Sequence, residues 1–161
     1  MDEVDGARWV APENIHLTLK FLGATSDDKL DEIAAAIEEA VSNFRKFYFS
    51  LDELGAFPSA KRARVVWVGV HHGANELIEL SKAIESAIVP LGFEPESKVL
   101  KPHITLARIK NPKPIAAALP KVPTERFSGR VINVDGVTIF ESHLKRTGAE
   151  YEPVRFIPLP G

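Results

Sequence analysis

Residues 13–21 alternate strictly, with Ile15, Leu17, Leu19 and Phe21 on one side and Asn14, His16, Thr18 and Lys20 on the other. A period of two predicts a half-buried strand, ended here by Gly23. The period then changes. Leu30, Ile33, Ala34, Ile37, Val41 and Phe44 recur at helical spacing and predict an amphipathic helix over 26–44. Thr25 or Ser26 is its cap, and Asp27 and Asp28 lie in its first turn. Residues 47–54 read as a strand, and 55–64 as a loop carrying Phe57, Pro58, Lys61 and Arg62. The short apolar run 65–70 predicts a strand covered on both faces. Leu77, Leu80, Ile84, Ile88 and Leu91 mark a second helix over 75–91, stopped by Gly92. Residues 93–98 are extended. Residues 100–109 form a strand with Lys101, His103 and Thr105 on one face and Ile104 and Leu106 on the other. Pro112 and Pro114 open a short helix through Leu119, closed by Pro120. A strand over 131–140, a turn-rich loop over 141–150 around Gly148 and an extended segment over 151–159 complete the chain.

One phrase occurs twice. His16 to Leu19 reads His-Leu-Thr-Leu and His103 to Leu106 reads His-Ile-Thr-Leu, 87 residues apart (103 − 16 = 87). Longer stretches echo each other too. Residues 50–58 resemble 133–141, and Phe57 and Phe140 lie 83 apart (140 − 57 = 83). The repeat predicts an α+β protein of two pseudo-symmetric lobes, each an antiparallel sheet with outer helices, with a central cleft between the lobes. Each lobe then carries one His-x-Thr strand. A strand and a helix precede the second phrase, but only fifteen residues precede His16. The first lobe is therefore expected to lack its opening strand and helix, through a late start or a trimmed chain. The expectation is a single bilobed domain over 1–161, shortened at its N-terminus.

Bulk properties narrow the function. With 161 residues, 45% hydrophobic and 26% charged, the chain is an ordinary globular one. Its net charge of −2 excludes a global basic field that would recruit long nucleic acid, and leaves a small or terminal phosphate as a ligand. The absence of Cys excludes disulfides, thiolate chemistry and Cys-based zinc sites, and fits a cytoplasmic location. No apolar run approaches about 18 residues, so no membrane partner is expected. The acidic start has no signal-peptide core. A monomer is the expectation.

The candidate chemistry lies in the repeat. A lone strand histidine is usually structural, but His16 and His103 stand in matched contexts. If the two phrases converge, the histidines can serve as acid and base on opposite sides of a phosphorus atom, since an unperturbed imidazole titrates near pH 6.5. The hydroxyls of Thr18 and Thr105, ordinary strand residues on their own, can hold the non-bridging oxygens. Arg108 is either a surface cation or the group that neutralises charge building on the phosphate. Phe57 is either core or a base-stacking platform. Two histidines without nearby carboxylates make a poor zinc site, so neither metal nor cofactor is expected. Lys61, Arg62 and Arg64 read as a solvated loop, His71 and His72 as a turn, and Tyr151 as packing. His143 has no assigned role.

The chain resembles the two-histidine (2H) phosphoesterases, and within them the bacterial and archaeal RNA 2′,3′-cyclic phosphodiesterases, also described as 2′-5′ RNA ligases. The resemblance is carried by Ala7 to Gly23, Gly55 to Pro58, Trp67 to Gly69, Pro102 to Arg108, and the Phe140-Glu-Ser-x-Leu144 stretch followed by Gly148 and Tyr151. It covers essentially the whole chain. It implies hydrolysis of an RNA 2′,3′-cyclic end to a 2′-phosphate, with His16 as proton donor and His103 as proton acceptor, and the reverse 2′-5′ ligation. RNA ends or oligonucleotides bearing the cyclic phosphate are the implied partners. Two alternatives stand beside this. One is another 2H phosphodiesterase, acting on a cyclic nucleotide, a 2′-5′ linkage or an ADP-ribose cyclic phosphate. The other is a non-catalytic module that binds RNA ends.

Overall fold

The structure is a computed structural model and describes residues 6–119, 128–145 and 148–161. Among the described residues there are seven strands, β1 (Ala7–Trp9), β2 (Phe47–Phe57), β3 (Ala63–Val70), β4 (His103–Lys113), β5 (Val131–Val134), β6 (Gly136–Lys145) and β7 (Gly148–Pro158). The two α-helices are α1 (Leu30–Val41) and α2 (Ala74–Ile88). The class is α+β with antiparallel pairing, as the sequence implies.

The chain divides into two compact units, each drawn from three segments. The first unit holds the chain up to Thr18, Phe49–Ala74 and Lys101–Ile132. It is built on a five-stranded sheet of order β1-β4-β3-β2-β5. One face of this sheet buries Ala63, Val66, Ala107, Ile109 and Ile115, with Ala7, Ala56 and Leu119 packed against them. Val66, Trp67, Val68 and Gly69 are all buried, so β3 is covered on both faces, as its unbroken apolar run predicts.

The second unit holds Leu19–Tyr48, Asn75–Leu100 and Asn133–Gly161. Its core joins Ile33, Ala34, Ile37 and Val41 of α1, Leu80, Ile84 and Ile88 of α2, and Val137, Ile157 and Leu159 at the base of the β6–β7 hairpin. Those helical positions are the apolar stripes seen in the sequence. Gly92 adopts φ 95°, the left-handed geometry that ends the second helical stretch. The pairing expected of the lobes, one His-x-Thr strand with its helix in each, is realised differently: both His-x-Thr phrases belong to the first unit and both α-helices to the second.

The strand expected over 131–140 is two, β5 and β6, parted at Asp135 and belonging to different sheets. Five further local expectations need correction. Residues 13–21 are not a continuous strand. A 3₁₀ turn at Pro12–Asn14 comes first, favoured by Pro12 at its opening position. A single antiparallel bridge, Leu17 to Ile104, follows. The alternation breaks beyond Thr18, where the chain passes into the second unit. Phe21 is 70% exposed, while the Lys20 side chain is 4% exposed. The predicted loop over 55–64 is shorter, because β2 runs to Phe57 and β3 starts at Ala63. No helix opens at Pro112. β4 continues through it to Lys113, past a register shift where a proline costs no ladder bond, and turn hydrogen bonds onto the Ile115 carbonyl follow. Pro120 lies outside the described residues. The predicted loop over 141–150 is mostly strand, because Glu141 to Lys145 pair with Gly148 to Glu152. Ser26 does occupy a cap position, but its hydroxyl makes no capping bond, and the Thr25 hydroxyl donates to the Gly23 carbonyl at 3.2 Å.

Candidate active site

The bridge between Leu17 and Ile104 sets the register of the two phrases. One step either way in an antiparallel register, His16 faces Thr105 and Thr18 faces His103 (16 + 105 = 18 + 103 = 17 + 104). Side chains alternate along extended backbone, so Leu17 and Ile104 take one face and the two His-Thr pairs the other. Ile104 is 6% exposed, which makes its face the buried one. The four polar residues form a square with a local two-fold. Directly opposite residues have Cβ atoms about 5 Å apart and diagonal ones about 7–8 Å, so the histidines hold one diagonal and the threonines the other.

Both imidazoles are anchored identically. Nδ1 of His16 donates to the Asn14 carbonyl at 2.7 Å, and Nδ1 of His103 donates to the Lys101 carbonyl at 2.6 Å. A carbonyl only accepts, so the proton on each Nδ1 is assigned by its partner. That fixes the neutral tautomer and makes Nε2 the atom that takes up or gives away a proton.

The same face continues across the sheet. Trp67 pairs with Thr105 and Gly69 with His103. Gly55 pairs with Trp67, and the indole lies directly over it. Phe57 stands two residues on, half-buried. Its ring meets Trp67 at 5.1 Å and His103 edge-on at 5.0 Å between centroids, and Trp67 meets His103 at 6.1 Å. Lys101 places Nζ 4.4 Å from the Trp67 ring and 5.7 Å from Phe57. Lys101 thus holds His103 through its backbone and caps the aromatic wall with its ammonium.

A bulge decides where Arg108 points. Val66 pairs with Ala107 but Trp67 pairs with Thr105, so Leu106 is an extra residue in β4. Simple alternation from His103 and Thr105 would send residue 108 to the buried side. The extra residue reverses the parity, and Arg108 joins the face of Trp67 through its pairing with Val65. Arg8 of β1 pairs directly with Arg108 and shares that face.

The structure therefore brings together His16, Thr18, His103, Thr105, Arg108 and Phe57. Reading the sequence assigns no role to Arg8, Trp67 or Lys101. Lys101 could be placed on the face of His103 by alternation, whereas Arg8 needs the β1–β4 register. Among the described residues, no group of three or more His, Asp or Glu stands close enough to hold a metal ion.

A family model described as the 2′-5′ RNA ligase superfamily matches residues 5–155. The chain belongs to this family. A relative from Aeropyrum pernix named RNA 2′,3′-cyclic phosphodiesterase is 39% identical over 147 residues, 89% of this chain and 81% of that protein. One of the same name from Aquifex aeolicus is 34% identical over 157 residues, 96% of this chain and 82% of its own. Among solved structures, TT0787 of Thermus thermophilus superposes with a TM-score of 0.81 at 27% identity, covering 99% of this chain and 85% of that one. Escherichia coli LigT complexed with 3′-AMP gives 0.75 at 26% identity, covering 96% and 82%.

Proposed function

We propose that this protein hydrolyses the 2′,3′-cyclic phosphate at an RNA end to a 2′-phosphomonoester by two-histidine acid–base catalysis without a metal. The observation that carries the reading is the register at Leu17 and Ile104, which puts both His-x-Thr phrases on one face. The names of the family's curated members support the substrate.

In this reaction Nε2 of His103 takes a proton from water as its oxygen attacks phosphorus. The bond from phosphorus to O3′ breaks, and His16, which enters the step as the imidazolium with protons on both ring nitrogens, gives O3′ the proton on its Nε2. The products are a 3′-hydroxyl and a 2′-phosphate. Proton exchange with solvent resets both rings. The hydroxyls of Thr18 and Thr105 donate to the two non-bridging oxygens, and Arg108 offsets the charge that builds on them. The exposed part of Phe57 offers the terminal base a surface to stack on. With an RNA 5′-hydroxyl in place of water, the same steps form a 2′-5′ linkage. The working form is a cytoplasmic monomer, a placement in keeping with the absence of Cys.

The test is incubation with adenosine 2′,3′-cyclic phosphate in the presence and absence of a chelator, resolving 2′- from 3′-phosphate. Chelator-resistant formation of the 2′-phosphate is expected. A 3′-phosphate product would overturn the assignment of O3′ as leaving group. Loss of activity that added zinc or magnesium restores would overturn the metal-free mechanism.

A further inference from the structure

Arg8 and Arg108 face each other directly across β1 and β4. Like charges in that position repel, and a strand pair that keeps them does so at a cost in stability. Both residues are exposed. Neither guanidinium meets a carboxylate or any other hydrogen-bond acceptor among the described residues. Lys110 follows Arg108 on the same face, two residues along the strand. The whole chain carries a net charge of −2, so this row of cations is a local feature. It begins one same-face step beyond Thr105, a distance of about 7 Å along the sheet.

We propose that Arg8, with Arg108 beside it, forms a second phosphate subsite for the phosphate on the 5′ side of the terminal nucleotide. The inference rests on the function proposed above and deepens it, assigning the residues that distinguish the end of an RNA chain from a lone 2′,3′-cyclic nucleoside. Two guanidinium forks converging from opposite strands match the several oxygens of a phosphate, and an anion between them relieves their repulsion. The reacting phosphate occupies the His-Thr square, and the next phosphate lies along β4 towards Arg108. Arg108 borders both positions. Arg8 belongs to the second alone and is the diagnostic residue.

The experiment compares two substrates, adenosine 2′,3′-cyclic phosphate with a free 5′-hydroxyl and the same compound carrying a 5′-phosphate. For the wild type, kcat/KM is expected to be at least about tenfold higher with the 5′-phosphate, the return from one charge-assisted contact. Arg8→Ala should bring the ratio to within about twofold of unity, and Arg8→Lys should retain part of it. The melting temperature of Arg8→Ala should be equal to or above that of the wild type, because a repulsion has been removed. If Arg8→Ala fails to fold, Arg8→Gln keeps the stem and loses the charge, and the same ratio is read. A wild-type ratio near one, or a preference that survives loss of the Arg8 charge, overturns the subsite while turnover itself leaves the proposed function standing. Calorimetric titration with adenosine 2′-phosphate and adenosine 2′,5′-bisphosphate reads the subsite independently of turnover. Tighter binding of the bisphosphate that Arg8→Ala abolishes supports it; equal binding of the two overturns it.

Discussion

A methyl group added at Gly55 reaches the site through the Trp67 ring. A Cβ there would lie 2.1 Å from Cζ2, 2.3 Å from Cη2 and 2.6 Å from Cε2 of Trp67. Restoring ordinary contact at about 3.4 Å requires a shift of about 1.3 Å (3.4 − 2.1), and the obstacle is a rigid ring. Trp67 is 4% exposed, and its Nε1 has no hydrogen-bond partner, so the indole is held by packing and by the Lys101 ammonium over its ring. Phe57 and His103 are its ring neighbours, at 5.1 and 6.1 Å between centroids, so a displaced indole disturbs both. Overpacking of this kind costs about 1–3 kcal/mol. At about 2–4 °C per kcal/mol for a chain of this size, Gly55→Ala should lower the melting temperature by about 2–12 °C. The same shift reaches an imidazole that must be aligned with its substrate, where misplacement by about 1 Å can cost about 10²-fold in rate. We expect kcat/KM to fall at least tenfold while the far-ultraviolet circular dichroism stays native. Gly69→Ala is the control: its Cβ would approach Cζ3 of Trp67 at 3.2 Å, so its effect should be much smaller. Trp67→Phe removes the clashing atoms and should couple favourably with Gly55→Ala in a double-mutant cycle. A Gly55→Ala protein that melts within about 1 °C of wild type, or strict additivity in the cycle, would refute this account of how the wall supports His103.

Three further outcomes are expected. His16→Ala and His103→Ala should each reduce turnover by at least about 10²-fold, with the double variant little worse than either, since acid and base act as a unit; near-wild-type turnover in either single variant removes that histidine from the chemistry. Lys20 directs Nζ to Glu85 at 3.6 Å, Glu96 at 3.3 Å and the Glu94 carbonyl at 2.8 Å, from a side chain only 4% exposed. Lys20→Met keeps the stem and loses the charge, and urea unfolding should show a loss of about 1–3 kcal/mol. The pair of Arg155 with Asp31 is short, 2.6 Å, but its side chains are 46% and 88% exposed, so Arg155→Ala should cost less than about 1 kcal/mol in the same assay. A larger loss at Arg155 than at Lys20 would contradict the argument from burial.

The sequence revealed most where the signal was local. The apolar stripes of α1 and α2 survive intact because Ile33, Ile37 and Val41, and Leu80, Ile84 and Ile88, are buried at helical spacing. β3 was legible because an unbroken apolar run has few other uses. The hairpin end over 141–150 was not, because Glu141 to Lys145 are all exposed and alternation without a buried face carries no contrast. Residues 13–21 alternate as a strand does, but alternation reports which side a residue faces and not whether a partner runs alongside; here the partner contributes one bridge. The four residues of the His-Thr square stood out because the phrase is repeated. The side taken by Arg108 was hidden, since one extra residue at Leu106 reverses the count and only the pairing with β3 exposes it. Arg8 was hidden more deeply, because its place follows from β1 pairing with residues a hundred positions away.

The repeated phrase also has a consequence that depends on strand direction. On antiparallel neighbours in the register of Leu17 and Ile104, each histidine faces the other phrase's threonine. On parallel neighbours in equivalent register, histidine would face histidine. Only the antiparallel arrangement puts the two rings on a diagonal, about 7–8 Å apart, with room for a phosphorus atom between an attacking and a leaving oxygen. Exchanging one phrase tests this without changing composition. His16→Thr combined with Thr18→His places the new imidazole directly opposite His103, at about 5 Å between Cβ atoms, and leaves both threonines on the other side. Acid and base then crowd one side of the substrate. The swap should cost at least about 10²-fold in turnover of a 2′,3′-cyclic nucleotide, as much as removing His16 outright. The melting temperature should change little, because the exchanged positions share one face and neither is fully buried. Retention of more than about a tenth of wild-type turnover would show that the diagonal is dispensable, and that what matters is two imidazoles near the phosphate in any order.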